Sequence, residues 1–269
     1  MDLQAEYDNR ARVPESAAII AGWQRDAAAL RAGWAEAEPG IPYGAGERER
    51  LDLFRPGPGD GWPVALFIHG GYWQALDRGF FSHLARGLLA HGVAVALPSY
   101  DLCPQVPLAA IVAQMRAAAA LLHRRFGRRV LATGHSAGGH LTAMLMATDW
   151  RALDPALPAD LVPAGLPISG LFELEPLLPT TIGAGLRLTR EEARALSPRH
   201  LPSPGLPLHA VVGGAESAEF LRQTRDFAAA WGGTAEALPG ADHFTVIAPL
   251  ADPESALTRR AAALALAAG

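Results

Sequence analysis

Residues 130–139 read VLATGHSAGG, an apolar run followed by a G-x-S-x-G motif at the start of a helical pattern. Glycines on both sides of Ser136 permit a sharp turn from a strand into a helix, and such a turn lifts a serine hydroxyl out of a sheet. The motif can arise by chance, but its position between an apolar run and a helix favours a functional role. The stretch therefore predicts a strand–turn–helix unit with Ser136 as a nucleophile.

The rest of the chain repeats this alternation of a short apolar run and a helical segment. The apolar runs occupy residues 63–68, 93–98, 129–133, 165–169 and 207–212, and the helical segments occupy residues 80–90, 107–126, 137–148, 218–231 and 253–268. Strands that are apolar throughout are covered on both faces, as in a parallel sheet with crossover helices. We therefore expect an α/β-hydrolase fold, with a mostly parallel central sheet and helices on both faces.

The N-terminal part of the chain predicts a helix and an edge strand. Residues 14–37 have apolar positions at helical spacing, as in an amphipathic helix within an N-terminal helical segment, residues 1–45. Residues 38–44 contain two prolines and two glycines, which predict a break. Residues 48–55 alternate charged and apolar positions like a half-exposed strand near a sheet edge.

Two features of the second half complete the predicted architecture. Residues 171–202 are irregular and contain several prolines, which predicts a small inserted cap. Residues 234–238 are consistent with a further strand. A chain of 269 residues with half of them apolar can bury one large core, so we expect a single domain over residues 1–269.

The composition excludes several kinds of chemistry. All 23 basic residues are arginine, so no lysine is present for a Schiff base or for the phosphate loop of an NTPase. The single cysteine, Cys103, excludes an internal disulfide framework and a multi-cysteine zinc site. The sequence has no H-E-x-x-H and no G-x-G-x-x-G motif. We therefore predict no metal and no cofactor.

Charge and hydropathy bear on partners and location. The net charge is −4 and the basic residues are scattered, which argues against binding to nucleic acid. The N-terminus shows no signal-peptide pattern, and no uncharged apolar stretch reaches the about 18 residues that span a bilayer. We expect a cytoplasmic protein with a small-molecule substrate and no contact with membranes. Apolar surface on the terminal helices is compatible with a homodimer.

The motif HGGYW, residues 69–73, follows the first of the five apolar runs. Acyl transfer places negative charge on a carbonyl oxygen, and backbone N–H groups already in position stabilise that charge. Glycines permit the close approach that this requires, and the α/β-hydrolase pattern places such a loop after the third strand. We predict that the N–H groups of Gly70, Gly71 and Ala137 form an oxyanion hole. We also expect His69 to anchor the loop by hydrogen bonds.

Two aromatic residues of this motif are candidate substrate-binding residues. We predict that Tyr72 faces the pocket, where an aryl group can stack on its ring. For Trp73, contact with the substrate and packing in the core are equally favoured.

Four histidines follow Ser136 and are candidates for the general base. His140 lies one turn along the helix that starts at the serine, His209 lies inside an apolar run, and His200 lies in the predicted cap. His243 follows a predicted strand and precedes the last helix, as the chain order serine, acid, histidine requires. We therefore predict that His243 is the general base.

The acid of a catalytic triad should lie on the loop after the apolar run 207–212. That loop reads GGAESAEF, residues 213–220, and Glu216 is the predicted acid. Glutamate can replace aspartate because the role requires charge and orientation. Two alternatives stay open. Glu219 lies one turn further, where we expect it to be solvated, and Asp242 adjoins the histidine, where the backbone direction makes contact with the ring awkward.

The order of these motifs resembles a known family. HGGYW, PSYDLCP (residues 98–104), GHSAGGHL (residues 134–141), ISGLFEL (residues 168–174), GGAESAEF and DHF (residues 242–244) together resemble the serine-dependent kynurenine formamidases, relatives of the hormone-sensitive lipase group. The resemblance extends from about residue 63 to residue 244. It implies hydrolysis of the formyl amide of N-formylkynurenine, with aryl esters often accepted. It also implies the roles of Ser136 and His243, whereas the family usually has aspartate where this chain has Glu216.

Three functions are consistent with these motifs. The first is an arylformamidase or a similar amidase, and the second is a carboxylesterase that acts on short-chain or aryl esters with the same residues. The third is a non-catalytic binding protein on a hydrolase scaffold. The presence of the serine, the base, the oxyanion loop and a candidate acid argues against the third. The sequence does not separate the first two.

Overall fold

The computed structural model describes residues 2–269, and an eight-stranded sheet runs through the described chain. The strands are, in chain order, β1 (Ala37–Pro42), β2 (Arg50–Phe54), β3 (Val64–Ile68), β4 (Ala94–Pro98), β5 (Val130–His135), β6 (Gly165–Ile168), β7 (His209–Gly213) and β8 (Thr234–Leu238). Their spatial order is β1-β2-β4-β3-β5-β6-β7-β8. Strand β2 is antiparallel to β1 and β4, and the other pairs are parallel. The predicted α/β-hydrolase fold with a mostly parallel sheet is confirmed.

Helices connect and flank the strands. The α-helices are α1 (Leu3–Tyr7), α2 (Asn9–Arg12), α3 (Ser16–Gly33), α4 (Ala85–Ala90), α5 (Leu108–Phe126), α6 (Ala137–Met146), α7 (Trp150–Leu153), α8 (Thr181–Leu186), α9 (Arg190–Ala195), α10 (Ala218–Trp231) and α11 (Ala256–Ala268). Short 3-10 turns lie at Arg78–Phe80, Ser82–Leu84, Glu175–Leu177, Pro198–His200 and Ala248–Ala251. No helix within residues 2–269 has both the length and the apolar character needed to cross a membrane.

The sheet is buried on both faces because its central strands are apolar at successive positions. In β3, Leu66 and Ile68 belong to the hydrophobic core on one face, and Ala65 and Phe67 belong to the core on the other. The first core also contains residues of α5, α6 and α10, and the second contains residues of α3, α4 and α11. An uninterrupted apolar run is therefore what a strand between two helical layers requires.

The N-terminal region departs from the sequence prediction. Helix α3 covers Ser16–Gly33 rather than residues 14–37, and the short helices α1 and α2 precede it. Residues 38–44, predicted as a break, contain most of β1. The register of β1 shifts near Gly40, which has a φ of 71° and donates its N–H to the carboxylate of Asp52. The register shift is a β-bulge, and it explains why residues 38–44 do not show the alternation of apolar and polar side chains typical of a regular strand.

The predicted cap, residues 171–202, contains α8, α9 and two of the 3-10 turns. Thr189 and Glu192 form a reciprocal capping box at the start of α9. Gln74 donates a hydrogen bond to the carbonyl of Ile182, which links α8 to the loop after β3. The role of this segment as a cap and the single domain over residues 1–269 stay predictions.

Candidate active site

Ser136 occupies a strained turn between β5 and α6. Its φ of 58° and ψ of −116° lie where residues other than glycine are rarely found, and such strain is concentrated at functional sites. The flanking glycines make the turn possible. A Cβ on Gly138 would lie 1.9 Å from the carbonyl oxygen of Ile68, and a Cβ on Gly134 would lie 2.5 Å from the carbonyl oxygen of Gly138. Ser136 therefore reaches the carboxyl edge of the sheet, as its motif predicts.

The structure brings Ser136, His243 and Glu216 together in the order of a catalytic triad. The His243 Nε2 lies 3.1 Å from the Ser136 Oγ, and the His243 Nδ1 lies 2.6 Å from the Glu216 Oε2. Glu216 follows β7 and His243 follows β8, so both loops end at the same edge of the parallel sheet as the serine. All three side chains belong to buried residues. This geometry fits a nucleophile, a base and an acid that orients the base.

Two hydrogen-bond donors hold the oxygen of the Glu216 carboxylate that does not face His243. Its Oε1 accepts a hydrogen bond from the backbone N–H of Gly213 at 2.7 Å and another from the hydroxyl of Ser169. Ser169 follows β6 with a φ of 50°, so a second strained residue supports the acid. Sequence reasoning did not single out Ser169. The available signal was a serine at the carboxyl end of a predicted strand beside the catalytic loops.

The two alternative acids do not contact the base. Glu219 accepts a hydrogen bond from the Tyr7 hydroxyl at 2.8 Å and is 4% exposed, so the prediction that it is solvated was wrong. A buried carboxylate at this position is stable because it has hydrogen-bond donors around it. Asp242 accepts the backbone N–H of Phe244 at 2.7 Å. Of the three candidates, Glu216 is the one that reaches His243.

The predicted oxyanion-hole residues lie beside the serine. A Cβ on Gly70 would lie 3.1 Å from the Ser136 Cβ, so the glycine permits the loop to pass close to the nucleophile. Gly71 has a φ of 113°, and a Cβ there would lie 2.3 Å from the carbonyl oxygen of Ala75. Ala137 is the first residue of α6, where a backbone N–H has no partner within the helix. Stabilisation of an oxyanion by these N–H groups stays a prediction.

His69 anchors the oxyanion loop, as expected from the sequence. Its Nδ1 donates a hydrogen bond to the carbonyl of Gly70 at 2.7 Å. Its ring stacks on Tyr100 with centroids 4.1 Å apart, and the Tyr100 hydroxyl donates to the His69 carbonyl at 2.9 Å. Burial lowers the pKa of His69 to about 4, so the ring is neutral at pH 7.

A second histidine, His135, contacts the backbone of His243 and was not identified from the sequence. Its Nε2 donates a hydrogen bond to the backbone carbonyl of His243 at 2.8 Å, and the two ring centroids lie 4.7 Å apart. Burial, and then the nearby His243, hold the pKa of His135 well below its ordinary value. The neutral ring of His135 thus holds the backbone of His243 in place and adds no positive charge beside the His243 ring. The sequence feature that could have identified His135 is its position directly before Ser136 in the G-x-S-x-G motif.

The buried histidines make the stability of the fold depend on pH. Burial lowers the pKa values of His69, His83 and His140 to about 4, and that of His135 also falls well below normal. An unfolded histidine has a pKa of about 6.5, so between about pH 6.5 and 4 the unfolded chain binds more protons. The free energy of unfolding should therefore be highest above pH 6.5 and should decrease as the pH falls to 4. Urea unfolding at pH 7.5, 6.0 and 5.0 measures this dependence.

The variant His83→Gln provides the matched test of that dependence, because His83 lies in a 3-10 turn outside the triad. Removing one histidine with a lowered pKa should make the fall in stability between pH 7.5 and 5.0 shallower. A free energy of unfolding that is the same at pH 7.5 and 5.0 would contradict the prediction.

A pocket of about 410 Å³ opens on Ser136 and His243. Five aromatic side chains stand on its wall, and they are Tyr7, Trp23, Tyr72, Phe81 and Phe244. Residues 2–13, which we call the N-terminal arm, supply a further part of the wall. The sequence predicted an N-terminal helical segment over residues 1–45, but it did not indicate this separate arm, because α1 and α2 are too short to show a helical period.

The two candidate substrate-binding residues have different environments. Tyr72 lines the pocket as predicted, and its hydroxyl donates to the Tyr7 carbonyl at 2.7 Å and accepts from the Asn9 side chain at 3.1 Å. Trp73 is fully buried, and its ring packs edge-on against His140 with centroids 5.0 Å apart. Trp73 is therefore a core residue, which corrects its assignment to substrate binding. The physical reason is that the loop directs the Tyr72 ring to the pocket and the Trp73 ring into the core beside His140.

Residues 2–269 contain no group of three or more His, Cys, Asp or Glu side chains that could hold a metal ion. The absence of a metal and of a cofactor from the reaction stays a prediction from the sequence.

The fold and the residues around Ser136 define the class of this protein, an α/β-hydrolase that acts on ester or amide bonds. A thermostable carboxylesterase from a metagenomic library has the same fold, with a TM-score of 0.73 at 20% identity over 96% of this chain and 98% of that one. A candidate thioesterase from Silicibacter sp. is more similar, with a TM-score of 0.90 at 35% identity over 96% of this chain and 98% of that one.

Curated relatives identify the family. The chain is 31% identical to the kynurenine formamidase of Salmo salar over an alignment of 236 positions, and this alignment covers 81% of this chain and 79% of that protein. It is 29% identical to the kynurenine formamidase of Danio rerio over 81% of this chain and 78% of that protein. The BD-FAE family also matches residues 51–158. The chain belongs to the kynurenine formamidase family, which confirms the resemblance found in its motifs.

Proposed function

We propose that this chain hydrolyses its substrate through an acyl-enzyme formed on Ser136. The contact of 3.1 Å between His243 Nε2 and Ser136 Oγ is the observation that carries the proposal. The Ser136 hydroxyl gives its proton to His243 while Oγ attacks the carbonyl carbon of the substrate. His243 then donates that proton to the leaving nitrogen or oxygen, and the C–N or C–O bond breaks.

The neighbouring residues stabilise the charges that this step creates. Glu216 accepts the Nδ1–H of His243, and its negative charge stabilises the protonated ring. The N–H groups of Gly70, Gly71 and Ala137 donate to the oxyanion of the tetrahedral intermediate. A water molecule that gives a proton to His243 then attacks the acyl-enzyme, which releases the acid and restores the serine.

We propose further that the enzyme is an arylformamidase with N-formylkynurenine as its substrate. The kynurenine formamidases of Salmo salar and Danio rerio support this assignment over about four-fifths of the chain. The aromatic wall of the pocket, which includes Trp23, Phe81 and Phe244, favours an aromatic leaving group. A formyl group is the smallest acyl group, so it requires little space beside the serine.

A carboxylesterase that acts on short-chain or aryl esters is the second candidate. The observation that favours it is the similarity to the candidate thioesterase from Silicibacter sp., whose 35% identity exceeds that of the kynurenine formamidases given above and whose name indicates cleavage of a thioester rather than an amide. The same nucleophile, base and oxyanion hole would cleave an ester. The two candidates therefore differ in substrate and not in mechanism.

Rates on a small set of substrates separate the two functions. We expect kcat/KM for N-formylkynurenine to equal or exceed that for aryl acetates, and the value for aryl butyrates to be lower than that for acetates. The physical reason is that the aromatic wall of the pocket favours an aromatic leaving group, and a formyl or acetyl group requires less space beside Ser136 than a butyryl group does. The background rate is that of the Ser136→Ala variant. A value for N-formylkynurenine several orders of magnitude below the esters would assign the protein as a carboxylesterase.

Three further assignments stay predictions from the sequence. They are the cytoplasmic location, the reaction without a cofactor, and the homodimer.

A further inference from the structure

The N-terminal arm is fixed in place over the active-site pocket. The Tyr72 hydroxyl donates to the Tyr7 carbonyl at 2.7 Å, and the Asn9 side chain donates to the Tyr72 hydroxyl at 3.1 Å. The Tyr7 hydroxyl in turn donates to the buried carboxylate of Glu219 on α10. The arm is thus attached both to the oxyanion loop and to the helix that follows the acid. Side chains on its inner side therefore have defined positions relative to Ser136.

The arm places two opposite charges on the pocket wall. Apart from histidines, the charged side chains that line the pocket in the described chain are Asp8 and Arg10. The Asp8 Oδ1 accepts the backbone N–H of Ala11 at 3.1 Å, as the N-cap of α2. Arg10 is exposed and makes no ion pair or side-chain hydrogen bond to any other residue in the range 2–269. Its guanidinium is available to a ligand in the pocket.

The pocket thus has three chemically different parts. Ser136 and His243 lie at its buried end, aromatic side chains form its wall, and Arg10 stands where the pocket meets solvent. A guanidinium binds a carboxylate through two parallel hydrogen bonds, which gives orientation as well as affinity. An amino-acid group carries an ammonium beside its carboxylate, and Asp8 supplies the matching negative charge.

We propose that Arg10 is a specificity-determining residue that binds a carboxylate on the leaving group of the substrate. The pocket then selects aromatic formamides whose ring carries an amino-acid group, with the scissile bond at Ser136 and the carboxylate at Arg10. This inference rests on the proposed arylformamidase function. It adds to that function the residue that distinguishes an anionic aryl substrate from a neutral one.

The test compares two formamides that differ in the amino-acid group alone. N-formylkynurenine carries the group, and 2-formamidoacetophenone has the same aryl ketone without it. The readout is the ratio of kcat/KM for the first substrate to kcat/KM for the second. Arg10→Gln should lower this ratio about tenfold, mostly through KM, because a hydrogen-bonded ion pair is lost. Raising the ionic strength should lower the ratio in the unmodified enzyme as well.

Arg12→Gln is the matched control. Arg12 lies on the same helix, is also exposed, and lines a neighbouring cavity of about 460 Å³ that borders Glu216 and His243. Any effect of its loss on these two residues changes the rates of both formamides alike and therefore cancels in the ratio. This variant should leave the ratio unchanged. If the unmodified enzyme cleaves both formamides but Arg10→Gln keeps the ratio, or Arg12→Gln lowers it equally, the role of Arg10 is wrong and the formamidase function stands. If the unmodified enzyme cleaves neither formamide, the proposed function fails and the inference fails with it.

Discussion

Replacing Ser136 with alanine should reduce kcat/KM for both formamides and esters by about 10⁴- to 10⁶-fold. The variant has no nucleophile, so no acyl-enzyme can form, and the oxyanion hole and substrate binding alone supply the remaining rate. The fold should survive. Alanine at a φ of 58° is no more strained than serine, and the lost side-chain hydrogen bond is the one to His243. Initial rates and the melting temperature, measured on the same preparations, check both parts.

The control for this variant is a serine away from the pocket. Ser203 donates a hydrogen bond to the backbone carbonyl of Trp231, and Ser203→Ala should keep its activity. An organophosphonate should attach covalently to Ser136 in the unmodified enzyme and to no serine of Ser136→Ala. Covalent labelling at another serine, together with full activity of Ser136→Ala, would show that the nucleophile lies elsewhere.

The convergence of Ser136, Glu216 and His243 could be predicted from the sequence because their positions follow from topology. In a parallel sheet the carboxyl ends of the strands meet at one edge, so loops after β5, β7 and β8 must converge there. Chain order then assigns Ser136, Glu216 and His243 among the candidates. The continuous apolar runs predicted the layers of the fold for a similar reason, since strands covered on both faces have little freedom in composition.

The residues that escaped prediction depend on local backbone angles or on distant contacts. The sequence predicted a pocket position for Tyr72 but left Trp73 open between the pocket and the core. Trp73 enters the core from a loop in which residues 72 and 73 have φ values of 51° and 57°, a local backbone conformation that the sequence does not reveal. Glu219 is buried because Tyr7, more than 200 positions away, donates to its carboxylate. The helical position of Glu219 alone predicted a solvated side chain.

The two short helices of the N-terminal arm also could not be predicted from the sequence. Helices of four or five residues, such as α1 and α2, are too short to show a hydrophobic period. They are stable in this protein because of tertiary contacts, among them the hydrogen bonds of Tyr72 to Tyr7 and Asn9. The part of the proposed substrate-recognition surface that Asp8 and Arg10 supply therefore could not be seen before the fold was known.

Replacing Glu216 with glutamine should reduce kcat by about 10⁴-fold with a smaller change in KM. The surroundings of the carboxylate explain the size of this effect. The Gly213 N–H and the Ser169 hydroxyl both donate to Oε1, so a glutamine would place its carbonyl oxygen there and turn its NH₂ group toward His243. The His243 Nδ1 would then have to accept a hydrogen bond. In that tautomer the Nε2 carries the proton, and it cannot take one from Ser136.

The measurement is kcat and KM of Glu216→Gln on N-formylkynurenine and on an aryl acetate, with the unfolding transition as a check of the fold. Glu236→Gln is the matched control, because Glu236 forms the other short His–Glu pair, at 2.9 Å from His209 and away from the pocket. That variant should keep its kcat. Glu219→Gln removes a buried charge bound by Tyr7 and Arg222, so it should lower stability more than kcat. If Glu216→Gln retains kcat while Glu219→Gln loses it, the acid of the triad is Glu219.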